Sequence, residues 1–252
     1  MEVIAIVNRK GGVAKTATAQ ALGAGLRKKK KKVLFIDLDS QANLTYGLGA
    51  DPNTINSMDV LTGEASAQDA IQHTAQGDVI AGSDTLAAAD TSIKDTGKEY
   101  RLQEAIDGLK YDYIIIDTPA ALGTLTINAL TAANSVIIPV QAEVYSLQGI
   151  GQLNQSIQAV QKYCNKDLYI RGILITRYNG RAVLSRDMQS NLEEAAGLLH
   201  TKLYSTPIRE CISIKEAQAR QQDIYSYAPR SNAAKDYEAF IDEFLKQKRG
   251  KK

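Results

Sequence analysis

A glycine-containing loop near the start of the chain constrains the fold more than any other stretch of the sequence. The apolar residues 3–7 predict a buried strand, and the Ala-rich residues 17–26 predict a helix. Between them, Gly11 and Gly12 let backbone N–H groups come close to phosphate oxygens. A helix that begins near Lys15 adds unpaired N–H donors and a partial positive charge. The order strand, loop, helix therefore predicts an α/β protein that binds a triphosphate.

Individual residues of this loop have the chemistry that a phosphate site requires. Lys15 supplies a full positive charge, and the hydroxyl of Thr16 suits Mg²⁺. The strict pattern of Gly, four residues and Gly-Lys-Ser/Thr is not met, because Arg9 and Ala14 occupy the two glycine positions. Ala14 is penalised if its position needs a positive φ. The alternative is a glycine turn with two solvated lysines, but the flanking strand and helix favour a phosphate loop.

The loop does match the pattern Lys-Gly-Gly-x-x-Lys-Ser/Thr, and in this it resembles the ParA/MinD family of ATPases. The resemblance implies ATP and Mg²⁺ as cofactors and catalytic roles for Lys10 and Lys15. It also implies that Lys10 reaches across a dimer interface to the nucleotide of the other subunit. Ala17 stands where the family usually has a second Thr, so one phosphate contact is expected to be absent. The nucleotide-binding residues implied here are Lys10, Gly11, Gly12, Val13, Ala14, Lys15, Thr16 and Ala17.

Two carboxylates follow a second predicted strand, at residues 33–36. Strand alternation places Asp37 and Asp39 on one face, beside the phosphate loop, where they can hold metal-bound water and orient an attacking one. The segment resembles the family's Asp-x-Asp-Pro-Gln-Gly-Asn-x-Thr, with Ser40 and Ala42 in place of Pro and Gly. That resemblance implies that Asp39 positions the hydrolytic water and that Asp37 supports the Mg²⁺ shell.

A third acid ends another apolar strand. Residues 111–116 lead into Asp117, which is placed as the acidic residue that holds Mg²⁺ in P-loop NTPases. Residues 120–130 resemble the family's second switch and the helix after it. The predicted metal set is therefore Thr16, Asp37 and Asp117.

The remaining pattern predicts a three-layer P-loop NTPase fold, with a mainly parallel twisted sheet and helices on both faces. Further strands are predicted at residues 78–81, 135–140 and 168–176, and helices at 57–61, 98–109, 147–163 and 237–245. The 252 residues suit a single domain, with 246–252 as a basic tail. His73 and His200 are isolated and are interpreted as surface residues.

Basic residues cluster after the last predicted strand, whereas the net charge of +2 implies no nucleic acid by itself. The predicted DNA contacts are Arg177, Arg181, Arg186, Arg209, Lys215 and Arg220. Residues 208–211 align with the family segment that flanks adenine, which adds Arg209 and Cys211 to the implied nucleotide contacts. The run of five lysines at 28–32 is interpreted as a solvated turn at a helix end rather than as a DNA site.

The resemblance covers essentially the whole chain and implies a ParA-like ATPase. Such a protein forms an ATP-dependent homodimer, binds double-stranded DNA without sequence preference and hydrolyses ATP slowly until a ParB-like centromere-binding partner stimulates it. Plasmid or chromosome partition would be the outcome. Few cysteines, no leader and no membrane-length apolar run lead us to expect a cytoplasmic protein without stable membrane association. The resemblance implies that the protein is nucleoid-associated.

Three other classes are weighed against this one. A MinD-like membrane-associated switch needs a C-terminal helix with a lipid-facing apolar stripe, and the tail after Leu245 has no apolar residue. An electron-transfer enzyme needs cluster-ligating cysteines, and only Cys164 and Cys211 occur. A repressor with an N-terminal helix-turn-helix is not expected, because the first strand begins at residue 2.

Overall fold

A seven-stranded sheet forms the centre of the protein. The computed structural model describes residues 1–143, 146–180 and 183–247, without the side chains of 183–186. The sheet order is β3-β4-β2-β5-β1-β6-β7, and every neighbouring pair is parallel except the antiparallel β3 and β4. The strands are β1 Glu2–Ile6, β2 Val33–Asp37, β3 Ile71–Thr74, β4 Gly77–Ile80, β5 Tyr113–Asp117, β6 Ser135–Gln141 and β7 Tyr169–Thr176.

Helices cover both faces of this sheet. Alternate strand residues point to opposite sides, so that Ile4 and Ile6 join one core layer and Val3 and Ala5 join the other. The first layer is closed by α1, α2 and α9 to α11, and the second by α3 to α8. The helices are α1 Lys15–Lys28, α2 Asn43–Leu48, α3 Ser57–Thr62, α4 Ala89–Ser92, α5 Arg101–Ile106, α6 Thr124–Ala132, α7 Ser146–Tyr163, α8 Val183–Leu198, α9 Ile212–Ala219, α10 Ile224–Tyr227 and α11 Asn232–Lys246.

The predicted three-layer α/β architecture is confirmed, and the buried parallel strands lie within a residue or two of their predicted positions. The sequence analysis missed β3, α2, α4, α8, α9 and α10. These elements are short or only partly buried, so their apolar periodicity is weak. His73 lies in β3, and its exposed ring contacts Asp78 through Nδ1 at 2.7 Å.

One buried ion pair fixes the end of α11 to the sheet. The guanidinium of Arg171 in β7 pairs with the carboxylate of Glu2 in β1, and both side chains are at most one-tenth exposed. The same guanidinium stacks on the ring of Phe244 at 3.8 Å and donates to the carbonyl of Phe244 at 3.0 Å. The side-chain amide of Gln247 donates to the carbonyl of Arg171 at 3.0 Å. The first strand, an edge strand and the last helix are thus joined at one point.

The Arg171→Ala variant should lower the free energy of unfolding by about 3–5 kcal/mol, because it leaves Glu2 as an unpaired buried charge. The control is Arg101→Ala, whose pair with Asp95 is exposed and should be worth less than about 1 kcal/mol. Urea unfolding of both variants measures the difference. Equal losses in the two variants would contradict a special role for the buried pair.

Candidate nucleotide-binding site

Strand register brings the phosphate loop and two of the predicted acids together. Asp37 pairs with Asp117 across β2 and β5, and Ile6 pairs with Asp117 across β1 and β5. The loop that follows β1 therefore begins beside both carboxylates. The hydroxyl of Thr16 donates to Oδ2 of Asp117 at 2.6 Å, so the two ends of the predicted metal set are in direct contact.

The loop is held through its carbonyl groups and leaves its N–H groups open. The amide of Gln141 donates to the carbonyl of Gly12 at 3.1 Å, and the hydroxyl of Thr176 donates to the carbonyl of Val13 at 3.0 Å. In the described part of the chain, the backbone N–H groups of residues 11–14 donate to no protein acceptor. A Cβ added at Gly11 or Gly12 would project into open space. This is the geometry of an anion cradle.

Ala14 carries the strain anticipated from the sequence. Its φ of 61° and ψ of 35° lie in the left-handed region, immediately before α1. Ala42, the other alanine at a family glycine position, has φ 49° and precedes α2 in the same way. An L-residue costs about 1–2 kcal/mol in this conformation.

Asp117 is fully buried, and its Oδ1 has no hydrogen-bond partner among the residues that the structure describes. Burial raises the pKa of Asp117 well above its usual value, and the Thr16 hydrogen bond and the charge of Lys15 oppose that shift. An unpaired buried oxygen beside a threonine hydroxyl fits a hydrated divalent cation, which favours the ionised carboxylate. Thr16 and Asp117 are therefore the residues that would hold Mg²⁺.

Asp37 is arranged differently from Asp117. One of its carboxylate oxygens accepts from the backbone N–H and hydroxyl of Thr45 at 2.9 and 2.8 Å, and the other accepts from the N–H of Asp39 at 3.0 Å. Burial raises the pKa of Asp37 to about 6, and these hydrogen bonds oppose the shift. With both oxygens engaged, Asp37 orients the segment that carries Asp39.

The two predicted catalytic lysines have different surroundings. Lys15 is 7% exposed, and its burial lowers the pKa of the ammonium group, while Asp117 and Asp39 oppose that shift. Lys10 is half-exposed and forms an ion pair with Glu143 of its own chain. Asp39 is half-buried at the wall of the cavity over the loop, where it accepts from the N–H of Gln41 at 3.1 Å.

A cavity of about 650 Å³ lies over the phosphate loop and extends beneath α9. Its floor is made by Gly11, Gly12 and residues 14–17. The opposite wall contains Arg209 and Cys211, which were predicted near adenine. The structure thus brings most of the predicted nucleotide contacts to one cavity. Lys10 and the buried Val13 do not line it. The individual roles of all these residues stay predictions.

The six predicted DNA contacts do not form one continuous free surface in the described residues. Arg177 pairs with Glu210, and the guanidinium of Arg209 makes two hydrogen bonds to Asp236. Both arginines line the nucleotide cavity together with Lys215. Arg220 lies at the end of α9, over the ring of Tyr227. Arg181 and the side chain of Arg186 lie outside the described residues. Their role in DNA binding stays a prediction.

The sequence analysis missed several residues that position this site. Thr45 could have been found from its place in the family-like segment after Asp39. Gln141 and Thr176 end two buried strands, but nothing in their spacing indicates that they hold the phosphate loop. Asp90 of α4 accepts from the N–H of Thr124 at 2.7 Å and thereby caps the start of α6, although the two helices are far apart in the sequence.

Comparisons with known proteins agree with this geometry. A family model described as an AAA domain matches residues 1–170. The sporulation initiation inhibitor protein Soj of Bacillus subtilis is 42% identical over 243 residues, which cover 94% of this chain and 95% of that protein. The chromosome partitioning protein ParA of Myxococcus xanthus is 33% identical, over 97% of this chain and 88% of that protein.

A solved structure is also similar over nearly its whole length. Cobyrinic acid a,c-diamide synthase from Mycobacterium smegmatis, with bound ATP analogue and magnesium, has a TM-score of 0.84 and 34% identity. The match covers 98% of this chain and 95% of that one. The similarity therefore extends well beyond the phosphate loop.

Ala14→Gly should raise the free energy of unfolding by about 0.5–1 kcal/mol, because relief of left-handed strain exceeds the entropy that glycine adds to the unfolded chain. The control is Ala239→Gly on the exposed face of α11, which should lower the same quantity by about 1 kcal/mol. Chemical denaturation without nucleotide measures both changes. A loss of stability in Ala14→Gly comparable to that in the control would contradict the strain at this position.

Proposed function

Since the chain belongs to the ParA/Soj-type P-loop ATPases of the AAA domain family, we propose that it dimerises on ATP, binds DNA and drives plasmid or chromosome partition with a ParB-like partner. The observation that carries the chemistry is the contact between Thr16 and Asp117 beneath an open phosphate loop. The family resemblance identified in the sequence is confirmed. ATP and Mg²⁺ are its cofactors, supported by the relative that binds an ATP analogue and magnesium.

Different residues of the chain bind the phosphates and position the attacking water. The open N–H groups of the loop bind phosphate oxygens, and Lys15 adds a charge from within a largely buried site. Bound Mg²⁺ supplies charge stabilisation at the phosphates. Asp39, held at the cavity wall by the turn that Asp37 orients, accepts a hydrogen bond from the attacking water and fixes its direction.

Lys10 carries the dimerisation part of the proposal. In the single chain, its ammonium group is engaged by Glu143 at the rim of the phosphate loop. Both side chains are about half-exposed, so solvent weakens the pair and its exchange for a more highly charged partner costs little. The phosphates of a nucleotide on a second subunit supply such a partner.

The alternative, a MinD-like membrane-associated switch, receives less support from the last helix. The large apolar side chains of α11 are buried against the sheet, namely Tyr237, Phe240, Ile241 and Phe244. They are therefore committed to the core and do not offer a stripe to lipid. Within the described ranges, no helix is both long and apolar enough to cross a bilayer.

Lys15→Ala should weaken ATP binding about 100-fold, because one or two charge-assisted hydrogen bonds of about 1.5–3 kcal/mol each are lost. Asp39→Ala should retain binding and lose turnover by about 100-fold or more. Calorimetry with a non-hydrolysable analogue and a phosphate-release assay separate these effects. The exposed Lys94→Ala and Asp107→Ala variants serve as controls. Parental hydrolysis in Asp39→Ala would contradict its role towards water.

Lys10→Ala should bind ATP with near-parental affinity yet remain monomeric, because its charge acts on the nucleotide of the other subunit. Light scattering with and without ATP measures the state of assembly. Lys94→Ala removes an equal charge from an exposed site and should dimerise like the parent. A normal ATP-induced dimer of Lys10→Ala would remove the argument that this lysine acts across an interface.

A further inference from the structure

A second polar cleft lies at the end of the sheet where the parallel strands begin, which we call the amino edge. The nucleotide cavity lies at the end where these strands finish. We call the second cleft the amino-edge cleft and define it by Arg27, Lys31, Lys32, Lys110, Asp78 and Tyr111, which line about 660 Å³ of open space. Lys32 immediately precedes β2, and Lys110 and Tyr111 precede β5. The nucleotide site follows the far ends of these same strands. Five residues of strand separate the two sites by roughly 17 Å.

Asp78 lines this cleft, and Asp112 accepts from the backbone N–H of Lys32 at 2.8 Å, but neither carboxylate forms an ion pair with the cleft lysines. Among the described residues, Lys31, Lys32 and Lys110 form no ion pair with any carboxylate. Arg27 is held by the carbonyls of Ala75 and Gln76, which fix its position without cancelling its charge. Four cations therefore face one cleft.

The one acid of the cleft lining is already engaged. Asp78 accepts from the hydroxyl of Tyr111 at 2.8 Å, and its other oxygen contacts the ring of His73 at 2.7 Å. It is thus bound to neighbours on two sides rather than to the lysines. The lining retains a net charge of about three positive units when four cations are set against one carboxylate.

The run of lysines at 28–32, interpreted from the sequence as a solvated turn, divides into two parts in the structure. Lys28 pairs with Glu238, and Lys29 pairs with Asp242, both on α11. These are ordinary ion pairs at the protein surface. Lys31 and Lys32 turn to the other side and enter the cleft. A helix C-terminus explains cations near its last turn, but it does not explain their convergence with Lys110 from another element.

The last helix ends at the same edge of the sheet. The ring of Phe244, near the end of α11, lies 6.1 Å from that of Tyr113, the first residue of β5. The chain therefore leaves its last helix at the edge where the cleft opens.

We propose that the amino-edge cleft binds the phosphodiester backbone of DNA without reading its sequence. Flexible ammonium groups distributed along an open edge suit a chain of repeated phosphates, whereas a single small anion is normally held by converging backbone N–H groups. The choice of DNA rests on the proposed partition function. The contact is additional to the predicted arginine cluster and lies away from the nucleotide, so it does not compete with ATP.

The test compares a triple variant, Lys31→Ala/Lys32→Ala/Lys110→Ala, with the charge-matched control Lys94→Ala/Lys98→Ala/Lys235→Ala. Fluorescence anisotropy with two unrelated 20-base-pair duplexes, with and without ATP, gives affinity across a salt series. The cleft variant should bind both duplexes at least about tenfold more weakly. The negative slope of log affinity against log salt should become less steep by about two to three, because three phosphate contacts are lost. The control should stay within about twofold of the parent.

Thermal unfolding and ATP binding, measured on the same samples, distinguish a lost DNA contact from a damaged fold. Both quantities should be parental in both triple variants, because the substituted lysines are exposed or half-buried and belong to neither the core nor the phosphate loop. Equal weakening of DNA binding in both variants, or none in the cleft variant, overturns the proposal and leaves the ATPase and partition functions standing. Loss of binding to anionic phosphatidylserine vesicles with unchanged DNA binding overturns it in favour of a membrane surface.

Measurements on the parent protein distinguish the cleft proposal from the proposed ATPase and partition function. If it binds neither duplex in any nucleotide state, both the cleft assignment and the DNA part of the proposed function are wrong. ATP-induced dimerisation and hydrolysis, which are measured without DNA, then decide independently whether the ATPase part holds.

Discussion

The buried carboxylate of Asp117 is the group on which the nucleotide site depends most. One of its oxygens accepts from Thr16, and the other has no partner in the part of the chain that the structure describes. An ionised carboxylate at this depth costs several kcal/mol unless donors or a cation compensate. A divalent cation beside Thr16 and Asp117 would supply that compensation, and it would favour the ionised form of the carboxylate.

The parallel register of the sheet sets the positions of the polar groups around this site. Asp37 and Asp117 stand side by side because β2 and β5 pair in register, and β6 and β7 supply Gln141 and Thr176 to the loop carbonyls. Since strands buried on both faces slip only at a large cost in packing, the positions of these polar groups are rigidly set. The strain at Ala14 is sustained by that surrounding framework.

The two edges of the sheet have opposite chemistry. At the carboxyl edge, carboxylates and an open phosphate loop surround the nucleotide cavity. At the amino edge, an open cleft is lined by lysines that form no ion pair within the described residues. If the amino edge binds DNA as proposed, separation along the strands keeps that contact from competing directly with the nucleotide. The Arg171 and Glu2 pair, which anchors α11, also fixes where the basic C-terminal sequence begins.

Local signals in the sequence were enough to locate the buried strands, the phosphate loop and the acids at two strand ends, because apolar runs and glycine spacing are read within a few residues. Ala14 could be identified as strained in the same way, since a missing glycine is visible in the pattern. The folded chain was needed to reveal that Thr45 and the N–H of Asp39 engage both oxygens of Asp37. It also revealed that Lys10 pairs with Glu143 and that the lysine run is divided between α11 and the cleft. Most of these contacts join residues distant in sequence, and such contacts form only when separate elements pack together.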